Sequence, residues 1–250
     1  MRLAGKVALI TGAGQGVGQG IALAMASEGA KVAVTGRTLS KCETTCELIR
    51  KRGGDALAIE CDVKNEASLA ATVEKTVSHF GGLNILVNNA QEVPLGDLNS
   101  VTDEAFTAGY ESGPLATFRL MKLCYPHLKG DGNIINMASS AGKRWDMANY
   151  GAYAAVKEAI RSLTRAAACE WGPEGIRSNV ILPHATSPAL AWWTETYPEE
   201  AEEVVASIPM RRIGDCEQDI GRFVANLCTD DCQYVNGQSI ALDGGQAMIG

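Results

Sequence analysis

Short β-branched and aliphatic runs alternate with longer helix-period segments along the whole chain. Strand-like runs at 7–10, 31–35, 56–61, 85–88, 133–137, 177–182 and 239–242 are separated by helix-like stretches at 15–27, 41–52, 66–80, 103–128, 150–170 and 219–228. Alternation of this kind builds βαβ units, whose crossover helices cover both faces of a parallel sheet. The 250 residues contain no linker-like stretch, repeat or low-complexity segment, so one domain spanning 1–250 is expected. The exception to the regular pattern is 183–209, broken by Pro183, Pro188, Pro198 and Pro209. A connection of that length inside a compact domain reads as a functional lid, here about 184–209.

The first strand runs into Thr11-Gly12-Ala13-Gly14-Gln15-Gly16-Val17-Gly18 and then into a helix. Glycines let the backbone turn tightly and approach a pyrophosphate, whose charge the helix N-terminus stabilises. The spacing is Gly-x-x-x-Gly-x-Gly, not Gly-x-Gly-x-x-Gly. With it come Cys61-Asp62-Val63, Asn88-Asn89-Ala90, Ser139 with Gly142, Tyr153-x-x-x-Lys157, Pro183, and Gly237 followed by Asp243-Gly244-Gly245, in that order.

With these motifs the chain resembles the short-chain dehydrogenase/reductase family over essentially its whole length. The resemblance implies an α/β fold: a single doubly wound, Rossmann-type domain with about seven parallel strands and helices on both faces. It also implies a cofactor half at about 1–130 and a catalytic and substrate half at about 131–250. Cofactor contacts are expected from Gly12, Gln15, Gly16, Val17, Gly18, Arg37, Asp62, Val63, Asn89, Ala90, Tyr153, Lys157, Pro183 and Thr186. In the family, Asp62 would bond the adenine amino group, the Val63 backbone would bind the ring, and Lys157 would hold the nicotinamide ribose. On residues alone, Asn88-Asn89 could equally be a polar strand end satisfying a turn.

The second strand ends at Thr35-Gly36-Arg37-Thr38. An acidic residue there would hold a ribose 2′-OH and favour NAD. Arg37 instead suits a 2′-phosphate, so NADP(H) is favoured over NAD(H). A solvated loop arginine remains an alternative, and Gln15 stands where NADP-preferring relatives often carry a second basic residue.

Tyr153 and Lys157, four apart in a helix-forming stretch, share one face. An ammonium beside a phenol favours the phenolate, so Lys157 is expected to lower the Tyr153 pKa. Tyr153 would then exchange a proton with a carbonyl oxygen while a nicotinamide exchanges hydride with the carbon. Ser139, three before Gly142 and directly after a strand, is chosen over Ser140 to orient the substrate oxygen. That choice places one extra residue in 143–149.

Three positions depart from the family pattern: Gln91 after Asn88-Asn89-Ala90, His184 after Pro183, and Gly113 where the family has a relay asparagine. Gly113-Pro114 offers a helix kink by other means, since proline removes the bond to the Tyr110 carbonyl. Main-chain carbonyls near Gly113 are then expected to hold the relay water. Gln91, His184, Trp192 and Trp193 are the substrate-pocket candidates. The aromatic residues suit a flat apolar ring ketone or hydroxysteroid-like alcohol, or they simply dock the lid. The glutamates at 199, 200, 202 and 203 disfavour the runner-up activity, 3-oxoacyl thioester reduction. A cofactor-binding sensor or scaffold without catalysis is the reading from another class.

A net charge of −7 gives no basic footprint for nucleic acid or anionic lipid, and no apolar run is long enough to span a bilayer. A cytoplasmic chain with a small-molecule substrate is expected, and the resemblance implies a homo-oligomer, a tetramer or dimer. The eight cysteines, including the spaced pairs Cys42/Cys46 and Cys228/Cys232, lack zinc-knuckle spacing and read as free thiols with no metal.

Overall fold

The computed structural model of the chain describes residues 1–144 and 148–249. Seven strands form one parallel sheet: β1 (Val7–Thr11), β2 (Lys31–Gly36), β3 (Asp55–Glu60), β4 (Ile85–Asn88), β5 (Gly132–Met137), β6 (Ile176–Pro183) and β7 (Ser239–Leu242), in the spatial order β3-β2-β1-β4-β5-β6-β7. The helices are α1 (Gly16–Ser27), α2 (Leu39–Lys51), α3 (Glu66–Phe80), α4 (Asp103–Tyr110), α5 (Ala116–Leu128), α6 (Gly151–Trp171), α7 (Pro188–Thr196), α8 (Pro198–Ser207) and α9 (Arg222–Leu227).

Alternate strand residues feed two cores. Ala8, Ile10, Val32, Val34, Ile85 and Val87 pack with Ile21 and Met25 of α1, Cys46 and Ile49 of α2, and Val224 of α9. Their neighbours Val7, Leu9, Ala33 and Leu86 pack on the other face with Leu69 of α3, Leu120 and Cys124 of α5, and Ala167 of α6. The period of two in the strands thus divides one apolar sequence run between two helical layers. The result is a single doubly wound domain.

Local signals set the helix starts. Asn65 and Thr102 accept from the backbone N–H three residues on, at 2.9 and 3.2 Å, the geometry of an N-cap. The stretch 184–209, broken by proline in the sequence, folds into two helices. Ser187 caps α7 with Pro188 at its first position, and Pro198 opens α8, positions where a missing N–H costs nothing. The expected helix over 103–128 is continuous but not uniform. Residues Glu111–Leu115 form a π-turn between α4 and α5, with Pro114 inside it. A second π-turn, Cys216–Gly221, leads into α9.

Helix α6 is tied to the sheet by a buried polar chain. Asn88 Nδ2 donates to Asn136 Oδ1 at 2.8 Å, and Asn136 Nδ2 donates to Thr164 Oγ1 at 2.9 Å. All eight cysteines are free and five are buried; burial raises the Cys42 and Cys46 thiols to about 11, keeping them unreactive. Among the described residues, no helix is long and apolar enough to cross a membrane.

Asn136 is fully buried and joins β4, β5 and α6, so Asn136→Leu leaves partners unsatisfied on two elements. The expected outcome is a loss of about 2–4 kcal/mol in urea unfolding, with weakened turnover because α6 carries Tyr153 and Lys157.

Candidate active site

One cavity of about 530 Å³ runs along the ends of the central strands, lined by the glycine turn, Arg37, Asp62, Asn89, Gln91, Tyr153, Lys157, Pro183 and His184, among others. It lies where the strand order reverses between β1 and β4, the switch point at which doubly wound sheets open a crevice.

At the turn, Gly12 adopts φ +63° and a Cβ there would lie 2.9 Å from Asn89 Nδ2. Asn89 Nδ2 donates to the Thr11 and Gly12 carbonyls at 2.9 and 3.1 Å, and Thr11 Oγ1 accepts from the Asn89 and Ala90 N–H groups at 3.0 Å each. The end of β4 therefore clamps the turn that leads into α1. No side chain caps α1 and no acid sits in its first turn, so its leading N–H groups suit an anion. Gln15, Gly16 and Val17 line the cavity. Gly18 is buried against the turn instead, where a Cβ would meet the Gly12 carbonyl oxygen at 2.4 Å.

Cations gather at the other end of the turn. Arg37 Nη1 pairs with Glu92 Oε1 at 2.9 Å, Lys64 Nζ pairs with the same oxygen at 3.1 Å, and Lys41 Nζ donates to Gln15 Oε1 at 2.7 Å. Lys41, Lys64 and Glu92 were not singled out from the sequence. Lys41 was legible as a base in the first turn of α2; the Glu92 pairing joins the ends of three strands and left no local signal. Asp62 Oδ1 accepts from the Lys64 N–H at 3.1 Å, and buried Val63 lines the wall beside it.

At the chemical end, Ser139 opens a short turn by accepting from the Ala141 N–H at 3.2 Å. Of the two adjacent serines, Ser139 is the one whose side chain acts on Tyr153, lowering its pKa against the effect of burial. The extra residue placed in 143–149 falls partly on 145–147, outside the described residues. Lys157 is buried and its Nζ donates to the Met137 carbonyl at 2.7 Å, 5.5 Å from the Tyr153 ring centroid.

The expected lowering of the Tyr153 pKa by Lys157 does not hold in this geometry. Burial pushes Tyr153 up to about 12, the Ser139 hydrogen bond opposes this, and Tyr150 adds to the rise. Burial likewise brings Lys157 down to about 7. Each charged form loses its hydration, and an ammonium that itself gives up its proton near neutrality cannot hold a phenolate.

His184 lines the cavity, with Nδ1 buried and without a partner among the described residues. Burial holds its pKa below the usual value; Asp243 opposes that shift and Arg144 adds to it. Thr186 is exposed outside the cavity lining, its N–H bound to the Gly214 carbonyl at 2.9 Å. Trp192 and Trp193 do not line the cavity, which reaches α7 only at Pro188 and Ala189. Trp192 is 62% exposed and stacks edge-on with Tyr197.

These groups fit a dinucleotide: uncapped helix N–H groups for a pyrophosphate, cations at one end, and a buried lysine with two further donors beside a tyrosine at the other. The arrangement can exchange a proton with an oxygen held by Ser139 and Tyr153.

A family model described as enoyl-(acyl carrier protein) reductase matches residues 12–247. The chain is 41% identical over 255 residues to a 12α-hydroxysteroid dehydrogenase of Clostridium sp., covering 98% of this chain and 97% of that protein. Among solved structures, a dehydrogenase/reductase from Sinorhizobium meliloti 1021 is 30% identical with TM-score 0.92, covering 98% of this chain and 96% of that one. A 7α-hydroxysteroid dehydrogenase complexed with NADH and 7-oxo glycochenodeoxycholic acid is 33% identical with TM-score 0.91, covering 98% and 95%.

Lys157 binds a proton at about 7 in the folded chain and near 10.5 when unfolded. Between those values the unfolded chain holds more protons, so this group makes folding more favourable as pH rises from 7 to 10.5. A Lys157→Met variant lacks that slope. Urea unfolding of the two proteins should show the variant's relative stability falling across this window, by up to about 5 kcal/mol.

Proposed function

Because the chain belongs to the short-chain dehydrogenase/reductase family, we propose that it interconverts a cyclic or otherwise apolar ketone and its secondary alcohol, of hydroxysteroid type, preferring NADP(H) over NAD(H). Supporting this is the meeting of Tyr153, Lys157 and the glycine turn in one cavity, with Ser139 acting on Tyr153 beside it. In the direction of reduction, Ser139 orients the carbonyl oxygen and Tyr153 donates its proton to it. Lys157, poised near neutrality, returns a proton to the tyrosine. When bound, the nicotinamide supplies the hydride.

The steroid-like substrate rests on the likeness to the Clostridium dehydrogenase and to the 7α-hydroxysteroid dehydrogenase structure. Stretch 184–209 is read as a lid: α7 starts at the cavity wall, which Pro188 and Ala189 line, while the exposed Trp192 ring stands clear of the cavity against Tyr197. His184 and Gln91 would border the same substrate. The glutamates of α8 at 199, 200, 202 and 203 are exposed, which counts against an acyl thioester on an acidic carrier. The preference for NADP(H) rests on Arg37 and Lys64 standing around one carboxylate, Glu92, with Lys41 beside Gln15 on the same cavity wall. Lys41 supplies the second base that Gln15 does not. A cytoplasmic homo-oligomer, tetramer or dimer, is part of the same reading. Exposed Phe106, Tyr110 and Phe118 along α4 and α5 suit subunit packing.

Steady-state rates with NADH and NADPH across cyclic and linear ketones test the whole reading. Tyr153→Phe should lower turnover by about 10²–10⁴ without changing cofactor affinity. Binding without turnover on any ketone, unaffected by that substitution, would instead mark a sensor or scaffold.

Arg37→Ser should weaken NADPH binding by roughly tenfold or more while leaving NADH binding unchanged. Glu92→Gln, by freeing Arg37 and Lys64, should strengthen NADPH relative to NADH. Fluorescence titration of both cofactors measures these shifts, and equal changes for NADH and NADPH would remove the case for a 2′-phosphate site.

A further inference from the structure

His184, one of the chain's departures from the family pattern, directly follows β6, and the strand fixes where its ring goes. Ile181 and Ala185 belong to the core beneath α1 and α9, whereas Val180 and Leu182 pack with Ala138 and with Ile160 of α6. Alternation along the chain therefore sends the His184 side chain to the α6 face. From that face Tyr153 and Lys157 enter the cavity that His184 also lines. The backbone is pinned on both sides: the His184 N–H donates to the Leu242 carbonyl at 2.9 Å, and its carbonyl accepts from the Gly214 N–H at 3.2 Å. Strands β5 and β6 run in register, Met137 beside Ile181. Ser139 and His184 thus leave neighbouring strand ends, about 4.8 Å apart.

The two ring nitrogens are not equivalent. Nδ1 is sealed within the protein and has no hydrogen-bond partner among the described residues. The nearby carboxylate does not supply one, since Asp243 Oδ1 accepts from the Gly245 N–H at 3.0 Å and Oδ2 from the Ala247 N–H at 2.9 Å. Sealed N–H groups without an acceptor are rare in proteins, and sealed lone pairs less so. A neutral imidazole carries one ring proton, and here it falls on Nε2. Charging the ring would put a second proton on sealed Nδ1. Burial already holds the His184 pKa below its usual value, with Asp243 opposing and Arg144 adding to the shift. Nε2 itself is neither sealed nor bonded to a described residue, so the ring presents a single uncharged N–H to the cavity.

We infer that His184 is a specificity-determining residue: its Nε2–H donates to a second oxygen, a hydroxyl or carbonyl, that the substrate carries within about one ring of the reacting carbon. The inference rests on the oxidoreductase reading and narrows it, from apolar ring ketones to ring ketones bearing a further oxygen. Tyr153 and Ser139 take the reacting oxygen and His184 takes the other, so two anchored points fix the orientation of the ring. An analogue without the second oxygen leaves the donor unpaired in the closed site and is disfavoured for that reason.

1-Decalone and its hydroxylated derivatives, reduced at saturating NADPH, test this. Expected is a kcat/KM about tenfold or more higher for at least one hydroxydecalone than for 1-decalone, expressed mainly in KM. His184→Phe keeps a ring of similar size without the donor, and the preference should fall about tenfold, to near parity. His184→Gln sets an amide nitrogen near the position of Nε2 and should retain most of the preference. His184→Asn, whose shorter amide reaches only the position of Nδ1, should not. The NADPH dissociation constant should be the same in all four proteins. A parent without preference, a preference that survives His184→Phe, equal behaviour of the Gln and Asn variants, or equal falls for both ketones would overturn the inference. A changed NADPH dissociation constant would assign the ring to the cofactor and overturn it as well. Binding of NADPH without turnover of any ketone would show instead that the underlying oxidoreductase reading had failed, and this inference with it.

Discussion

Parallel pairing of all seven strands forces each return connection across a face of the sheet, so both faces fill with helix and neither can hold a ligand. Chemistry is left to the strand ends, and above all to the gap where β1 and β4 lie side by side while their connections run opposite ways. Thr11, Gly12, Asn89 and Ala90 hydrogen-bond across that gap. The glycine turn, the start of α1 and the loop after β4 are consequently held together, and the cavity inherits its shape from them.

Burial has a second consequence at the chemical end. Tyr153 and Lys157 are drawn in opposite directions, to about 12 and about 7, because desolvation penalises whichever form carries charge. Both groups are therefore most comfortable neutral in the folded chain. A neutral tyrosine is a competent proton donor, and a lysine near 7 can pass protons in either direction at physiological pH. Their fixed placement comes from α6, held to the sheet through Asn136 and Thr164, and from the Met137 carbonyl that receives Lys157.

Two of the three departures from the family pattern, Gln91 and Gly113, form one packing solution around the π-turn. A proline that would break an α-helix is accommodated because the wider turn and a glutamine amide together satisfy the carbonyl it leaves. The glutamine fits only because residue 113 has no Cβ. His184 stands apart, pinned by its backbone to the Leu242 carbonyl at 2.9 Å, with a ring nitrogen left for whatever enters the cavity.

The sequence by itself determined the fold class, the seven strands, the glycine turn after β1 and the Tyr153–Lys157 pair. Each is written in local periodicity, in glycine spacing or in a four-residue helical repeat, so neighbours along the chain suffice to read it. Much of 184–209 was legible only as interruption, although Ser187-Pro188 and Pro198 are helix-start signals in their own right. Tertiary structure alone decided that Arg37, Lys64 and Glu92 meet, that Gln91 fills the space at Gly113, and that Trp192 stands clear of the cavity. It also set the Tyr153 pKa above its usual value rather than below it, through burial. Those outcomes depend on the distance, burial and volume shared by residues far apart in sequence, quantities that exist only once the sheet has closed around its two cores.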